Sequence, residues 1–289
     1  MDEKQFRDYL SSYTDAEKAL SAPMRDTIRI NTLKIPKKEF MGVSGLKMEP
    51  TFYENGFYAD AGPGVRLGAT WEYFLGYMHT QTLSSMAPAL VLNPGERDIV
   101  LDAAASPGSK TSHMSMLMNN KGAILANDVN WERGSALFSN IARLGVLNAK
   151  VTVRDATRLG INAYFTKALV DAPCSSLSQP YAYKKFTPNL SYEISKTQIK
   201  MLFSSYDALA EGGELVYSTC TYEKGENEEA IKLLLEKRGS ASLQPLGVEF
   251  PHEPGLSEYG KEFRKVARVY PQHFSSEGFF IAKLKKGSA

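Results

Sequence analysis

Cysteine and histidine are scarce in this chain, and the scarcity excludes several classes of protein. Two cysteines, Cys174 and Cys220, occur in 289 residues, too few for a disulfide framework or a zinc cage. The four histidines, His79, His113, His252 and His273, lie far apart with no ligand spacing, so no metal site is expected. Apolar runs stop well short of the ~20 residues that cross a membrane. The opening Met-Asp-Glu-Lys-Gln-Phe lacks the charged-then-apolar layout of a secretory leader. The expectation is a cytoplasmic protein with no membrane partner. Charge of one sign is missing as well: a formal net charge of +2 neither demands nor forbids a nucleic-acid partner. There is no internal repeat and no low-complexity stretch.

One stretch organises what is present. Residues 99–111 read I-V-L-D-A-A-A-S-P-G-S-K-T: a short apolar run, an acid, a turn of small residues and the start of a helix-compatible pattern. Strand, tight turn and helix open a doubly wound α/β sheet, where ligands bind beyond the carboxyl ends of the strands. An ordinary βα turn is the bland alternative. Neither G-x-G-x-x-G nor G-x-x-x-x-G-K-[ST] occurs at this turn, which argues against a dinucleotide or P-loop site. Downstream, strand patterns at 123–128, 150–154, 168–171 and 214–218 alternate with helical patterns at 131–144, 194–210 and 226–238, as in a parallel sheet. Residues 268–270 and 278–284 read as a closing strand pair at the sheet edge.

Upstream, Phe6, Tyr9, Leu10 and Tyr13 recur at helical spacing within residues 1–24, and residues 27–33 alternate like a half-buried strand. A second helix, a turn at Asn55-Gly56 and a glycine-rich segment at 61–68 follow. Residues 1–70 are expected to form a small α+β lobe and residues 71–289 the sheet domain. Arg29, Lys34, Lys37 and Lys38, with Phe52, Tyr53, Phe57 and Tyr58, could hold phosphates and stack bases. A solvated basic face over a small core is the alternative.

Asp102, Asp128, Asp155 and Asp171 each fall at or just past the carboxyl end of an expected strand. One such acid is an ordinary helix cap; four would line one rim of the sheet. Asp128, after the second strand, suits ribose hydroxyls, and Asp155 could accept from an adenine amino group. An adenosine-containing ligand fits without a phosphate loop. Cys174 and Cys220 follow the next two strands, in D-A-P-C-S-S and Y-S-T-C-T. Each alone would read as a small packing residue. The only two thiols at consecutive strand ends point to chemistry.

D-A-A-A-S-P-G-S-K-T, N-D-V-N, D-A-P-C-S and S-T-C-T, in this order, resemble the RNA cytosine-5 methyltransferases of the Nol1/Nop2/Sun family. The resemblance runs from about Trp71 to Lys286, takes in Gly76, Gln81 and Ser84, and reaches R-I-N-T-L at Arg29 to Leu33. It implies a Rossmann-like S-adenosylmethionine-dependent methyltransferase sheet with a small N-terminal α+β RNA-binding lobe. S-adenosyl-L-methionine would be the cofactor and 5-methylcytosine in RNA the product. By position, Ala104, Ala105, Ser106, Pro107, Gly108, Ser109 and Lys110 would line the methionine side of the cofactor. Asp128 would take the ribose, Asp155 the adenine and Asp171 the space between cofactor and base, with Arg133 a further contact. Cys220 would be the nucleophile and Cys174 the thiol that helps release product. Lys110 would supply positive field. The family commonly has glycine after C-S; here Ser176 stands there, followed by L-S-Q-P-Y-A-Y-K-K, a loop expected to touch RNA.

Thiolate addition at carbon 6 of cytosine makes carbon 5 nucleophilic enough to accept a methyl group, splitting a hard step through a covalent intermediate. Transfer RNA is the favoured substrate and ribosomal RNA the alternative, and a monomer is expected. Another S-adenosylmethionine enzyme is less consistent with two rim thiols. DNA cytosine-5 enzymes, with their nucleophile after the fourth strand, would implicate Cys174. A catalytically silent RNA-binding protein is the remaining rival.

Overall fold

The computed structural model describes residues 1–179 and 181–288. Among the described residues, thirteen strands form two sheets, of four and nine strands. The small sheet holds β1 (Thr27–Ile30), β2 (Lys47–Pro50), β3 (Gly56–Asp60) and β4 (Met78–Thr80), antiparallel in the order β2-β3-β1-β4. Its fourth strand lies past residue 70, inside the stretch assigned from sequence to the sheet domain. The lobe sheet therefore closes on residues that lead directly into the larger sheet.

The large sheet contains β5 (Ile99–Asp102), β6 (Ala123–Asp128), β7 (Ala149–Val153), β8 (Phe165–Asp171), β9 (Leu209–Thr219), β10 (Ala241–Gln244), β11 (Glu253–Pro254), β12 (Ala267–Val269) and β13 (Phe279–Lys286). Its order is β11-β12-β13-β9-β8-β5-β6-β7, with β10 on β13. The strands β7, β6, β5, β8 and β9 are parallel; β13 returns antiparallel to β9 and pairs with β12, as the closing strand pair suggested. After β5 the chain moves outward through β6 and β7, then crosses back to place β8 on β5's other side. That reversal is the switch point of a doubly wound sheet, where ligands bind.

Both faces of the sheet are covered, which explains its continuous apolar runs. Leu101, Val170, Leu202, Ile231 and Phe280 meet on one face; Val100, Met114, Leu169, Val216 and Ile281 meet on the other. The helix Ser109–Leu117 carries no single apolar stripe because Thr111, Ser112, His113, Met114, Ser115 and Met116 are all buried.

The N-terminal segment forms two helices, Glu3–Ser11 and Ala16–Ser21, rather than one, each started by an aspartate cap, Asp2 and Asp15. Their apolar face does not seat on the lobe. Phe6, Leu10, Ala16 and Ala19 pack against Leu177, Phe186, Tyr222 and Tyr270 of the large module. An amphipathic face needs an apolar partner, and the loops after β8 and β9 supply it.

Most of the residues read as a basic and aromatic RNA face are engaged inside the protein. Arg29 is 1% exposed and donates to Ser112 Oγ at 2.8 Å, while its Nε and Nη1 have no partner among the described residues; burial pulls its pKa down to about 10. Tyr53 and Phe57 are buried, Phe52 stacks on Phe274 with centroids 4.9 Å apart, and the Tyr58 hydroxyl donates to Phe274 O at 2.9 Å. Lys34 Nζ donates to Leu75 O at 3.1 Å, and Lys37 Nζ lies 5.3 Å over the Phe57 ring. Lys38 is exposed. Apolar and aromatic side chains were needed to close a small lobe onto a large sheet, and composition alone does not separate that use from base stacking.

Candidate active site

The parallel strands deliver their carboxyl ends to one rim, and a cleft of about 360 Å³ opens there. Ala104, Ser106, Asp128, Arg133, Asp155, Asp171, Cys174 and Cys220 all line it. A smaller recess of about 80 Å³ adjoins it, lined by Ala104, Ala105, Ser106, Pro107, Ser109, Lys110, Asp171 and Ser85. Gly108 lines neither. It adopts φ +102°, and a Cβ there would stand 3.0 Å from Leu137 Cδ1, so glycine lets the turn press against the helix Trp131–Arg143. The four acids also do not form one continuous row. Asp102 is fully buried below the cleft, takes a hydrogen bond from Thr111 Oγ1 at 2.7 Å, and is pushed by burial up to about 7.

Asp128 is held at the base of the turn. Ser106 N donates to Asp128 Oδ2 and Asn130 N to Asp128 Oδ1, both at 3.2 Å, and Arg133 Nη2 stands 3.8 Å away. Asp155 accepts from Thr157 Oγ1 at 2.7 Å, Thr157 N at 2.9 Å and Arg158 Nε at 3.0 Å, which hold its carboxyl below the usual range. Asp171 is gripped from two sides, by Ser218 Oγ and Lys110 Nζ, each at 2.7 Å. Lys110 Nζ also donates to Ser85 Oγ at 2.9 Å.

The parallel pairing of β8 with β9 brings the thiols together across 46 residues, with Cys174 Sγ 2.9 Å from Cys220 Sγ. Cys220 N donates to Cys174 Sγ at 3.3 Å. The hydrogen bond from Cys174 holds the Cys220 thiol below its ordinary pKa; the same bond, with burial, pushes Cys174 up. Of the two thiols Cys220 is therefore the readier to ionise, and the thiolate is the form in which sulfur attacks.

Two buried residues absent from the sequence reading frame this pair. Glu226 accepts from Ser175 N at 3.0 Å, Ser191 Oγ at 2.6 Å and Gln198 Nε2 at 2.8 Å. Asn227 accepts from Thr219 Oγ1 at 2.6 Å and donates to Thr221 O at 3.0 Å, on either side of Cys220. Thr197 and Met201, on the helix Pro188–Asp207, also line the cleft. Neither carried a sequence signal, because a helix crossing above a rim is fixed by tertiary packing. Val129, Ala156 and Thr157 line it too, and each adjoins an acid already singled out. Of the loop expected to touch RNA, Pro180 lies outside the described residues; Tyr181 is exposed, with Lys184 Nζ 4.9 Å over its ring.

A nucleoside-sized cleft at the switch point, with small residues on one wall and carboxylates after β6 and β7, suits an adenosine-containing ligand. This is the frame of a Rossmann-like, S-adenosylmethionine-dependent methyltransferase. A family model described as 16S rRNA methyltransferase RsmB/F matches residues 89–285, and the chain belongs to that family. It is 40% identical over 281 residues to the tRNA (cytosine(49)-C(5))-methyltransferase of Pyrococcus abyssi, covering 92% of this chain and 90% of the relative. It is 38% identical over 294 residues to Ribosomal RNA small subunit methyltransferase F of Escherichia coli, covering 96% of this chain but 60% of the relative. The structure of NSun6 from Pyrococcus horikoshii with SFG superposes with a TM-score of 0.87 at 27% identity, covering 99% of this chain and 98% of that one. Among the described residues, no helix is long and apolar enough to cross a membrane.

Proposed function

We propose that this protein is a cytoplasmic, monomeric RNA cytosine-5 methyltransferase that acts through a covalent bond between Cys220 Sγ and carbon 6 of the target cytosine. The observation that carries this reading is the pair of sulfurs 2.9 Å apart in the same cleft as Asp128, Asp155 and Asp171. Bound S-adenosylmethionine supplies an electrophilic methyl group on a sulfonium. Asp128 and Asp155 would hold its adenosine half, Ala104–Pro107, Ser109 and Lys110 would border its methionine half, and Asp171 would meet the cytosine edge.

Cys220 donates its sulfur electron pair to carbon 6, and carbon 5 then accepts the methyl group. Bond formation at Cys220 removes the hydrogen bond that raised Cys174, leaving burial alone to oppose its ionisation, and Cys174 gives its proton to a solvent base. The Cys174 thiolate takes the carbon-5 proton; the freed pair restores the ring double bond as the carbon–sulfur bond breaks, returning Cys220 to thiolate. Asp171, fixed by Lys110 and Ser218, is preorganised where charge changes on the ring. A paired target base leaves its stack at a cost of about 2–4 kcal/mol.

Transfer RNA is the favoured substrate, supported by identity along almost the whole length of the Pyrococcus abyssi relative. Ribosomal RNA is the second reading, supported by the Escherichia coli relative. Mapping 5-methylcytosine in total RNA from cells with and without the protein tests both: loss of signal in a tRNA or an rRNA names the substrate, and no lost signal removes the activity.

The cofactor assignment has its own check. Asp128→Ala is expected to weaken S-adenosylmethionine binding by about 1–3 kcal/mol, the cost of an unmatched polar partner. Because Asp128 also anchors Ser106 N, Asp128→Asn, which keeps an acceptor there, separates ligand contact from loop support. Unchanged calorimetric affinity in both folded variants would take Asp128 out of the site.

A further inference from the structure

Ser176 sits where backbone conformation favours glycine. Its φ is +55°, a left-handed geometry that costs a side-chain-bearing residue about 1 kcal/mol or more and persists only where surroundings impose it. They do so here. On one side, Ser175 N is held by Glu226 Oε2 at 3.0 Å and Ser175 Oγ by Thr221 Oγ1 at 2.8 Å. On the other, Gln179 N donates to Ser176 O at 2.8 Å and Ser178 Oγ to Cys220 O at 2.7 Å.

The strained residue presents its hydroxyl to both sulfurs. With Cys220 as a thiol, its Sγ donates to Ser176 Oγ at 3.5 Å and Ser176 Oγ donates to Cys174 O at 3.3 Å, while Cys174 Sγ lies 3.8 Å away; ionising Cys220 turns its sulfur into an acceptor. A hydroxyl has one proton to donate, and an ionised acceptor draws it more strongly than a neutral carbonyl. We infer that Ser176 is a third member of the thiol site, whose hydroxyl donates to the Cys220 thiolate and keeps it ready to attack. This rests on Cys220 being the nucleophile. No proton is transferred: as the sulfur pair moves into the bond with carbon 6, the hydroxyl hydrogen bond returns to Cys174 O. The hydrogen bond from Ser176 acts in the same direction as that from Cys174 in holding the Cys220 thiol low. The other titratable groups facing Cys220 are Cys174, Asp171, Lys110 and Tyr222, and the test leaves all four in place.

The test uses the full chain without RNA or cofactor, and follows iodoacetamide alkylation of Cys220 against pH by peptide mass spectrometry. Ser176→Ala removes the hydroxyl and keeps the strained backbone; Ser176→Gly removes both. Both variants are expected to shift the Cys220 profile to higher pH, slowing alkylation near neutral pH by about threefold to tenfold. Ser176→Gly should also melt higher than Ser176→Ala. An unchanged profile in both variants overturns the inference. So does a shift in Ser176→Ala that Ser176→Gly reverses, because backbone geometry rather than the hydroxyl would then set the thiol. Alkylation reports the resting thiol alone, so a failed methyl-transfer assay counts against the proposed activity and leaves this result standing.

Discussion

Cys220→Ala is expected to abolish methyl transfer and to form no protein–RNA adduct, while Cys174→Ala accumulates one. Cys220 is the thiol held below its ordinary pKa, with Cys174 and Ser176 as its hydrogen-bonding neighbours. Removing Cys220 takes away the bond-forming sulfur, and the rate should fall by at least on the order of 10³-fold. Removing Cys174 leaves the attack possible but deletes the group that takes the carbon-5 proton, so the enzyme stays bonded to methylated RNA. Denaturing gel electrophoresis with labelled RNA separates the outcomes: a slow band in Cys174→Ala, none in Cys220→Ala, none in the double variant. An adduct in Cys220→Ala that depends on Cys174 would reverse the roles, as the DNA-type arrangement requires. Two packing cysteines would give no adduct and only modest rate changes in either variant.

The second large effect falls on Lys110. Its ammonium is the cation paired with Asp171, and the two are 11% and 27% exposed. Its positive charge also helps hold the Cys220 thiol low. Lys110→Ala therefore leaves Asp171 without its charge partner and removes field from the nucleophile. Single-turnover methyl transfer should drop by about 10²–10³-fold, the usual loss for a preorganised electrostatic group, with cofactor affinity changed far less. Lys110→Met, which keeps the stem against its neighbours, should lose nearly as much. A rate within a few-fold of the parent in a folded Lys110→Met would make the lysine a packing element only.

The rim chemistry was legible because it needs particular side chains at particular places. Acids and thiols at strand ends can be recognised once the alternation of strands and helices is read, and Asp128, Asp155, Asp171, Cys174 and Cys220 do share one cleft. Burial was not legible. Arg29 looked like a phosphate ligand because arginine usually faces water, yet it lies under the lobe against Ser112. Asp102 matched its three counterparts by position and ended below the cleft. Glu226 and Asn227 sat inside an acidic, helix-like run, where nothing distinguishes a buried clamp from a solvated face. Their roles depend on where the loops after β8 and β9 come to rest, which is a tertiary fact.

The two N-terminal helices have a consequence for how the molecule is made. Tyr9 OH donates to Glu223 Oε1 at 2.5 Å, Gln272 Nε2 to Thr14 Oγ1 at 2.9 Å, and Arg25 N to Ser275 O at 2.9 Å. Phe6 stacks on Tyr183 with centroids 4.8 Å apart. This early segment thus settles against stretches synthesised much later, including the loops that follow both cysteines. Contacts this distant along the chain carry a large loop-closure cost and form slowly. The full seat of this segment, which includes Tyr270, Gln272 and Ser275, is complete only once residues near 275 are in place.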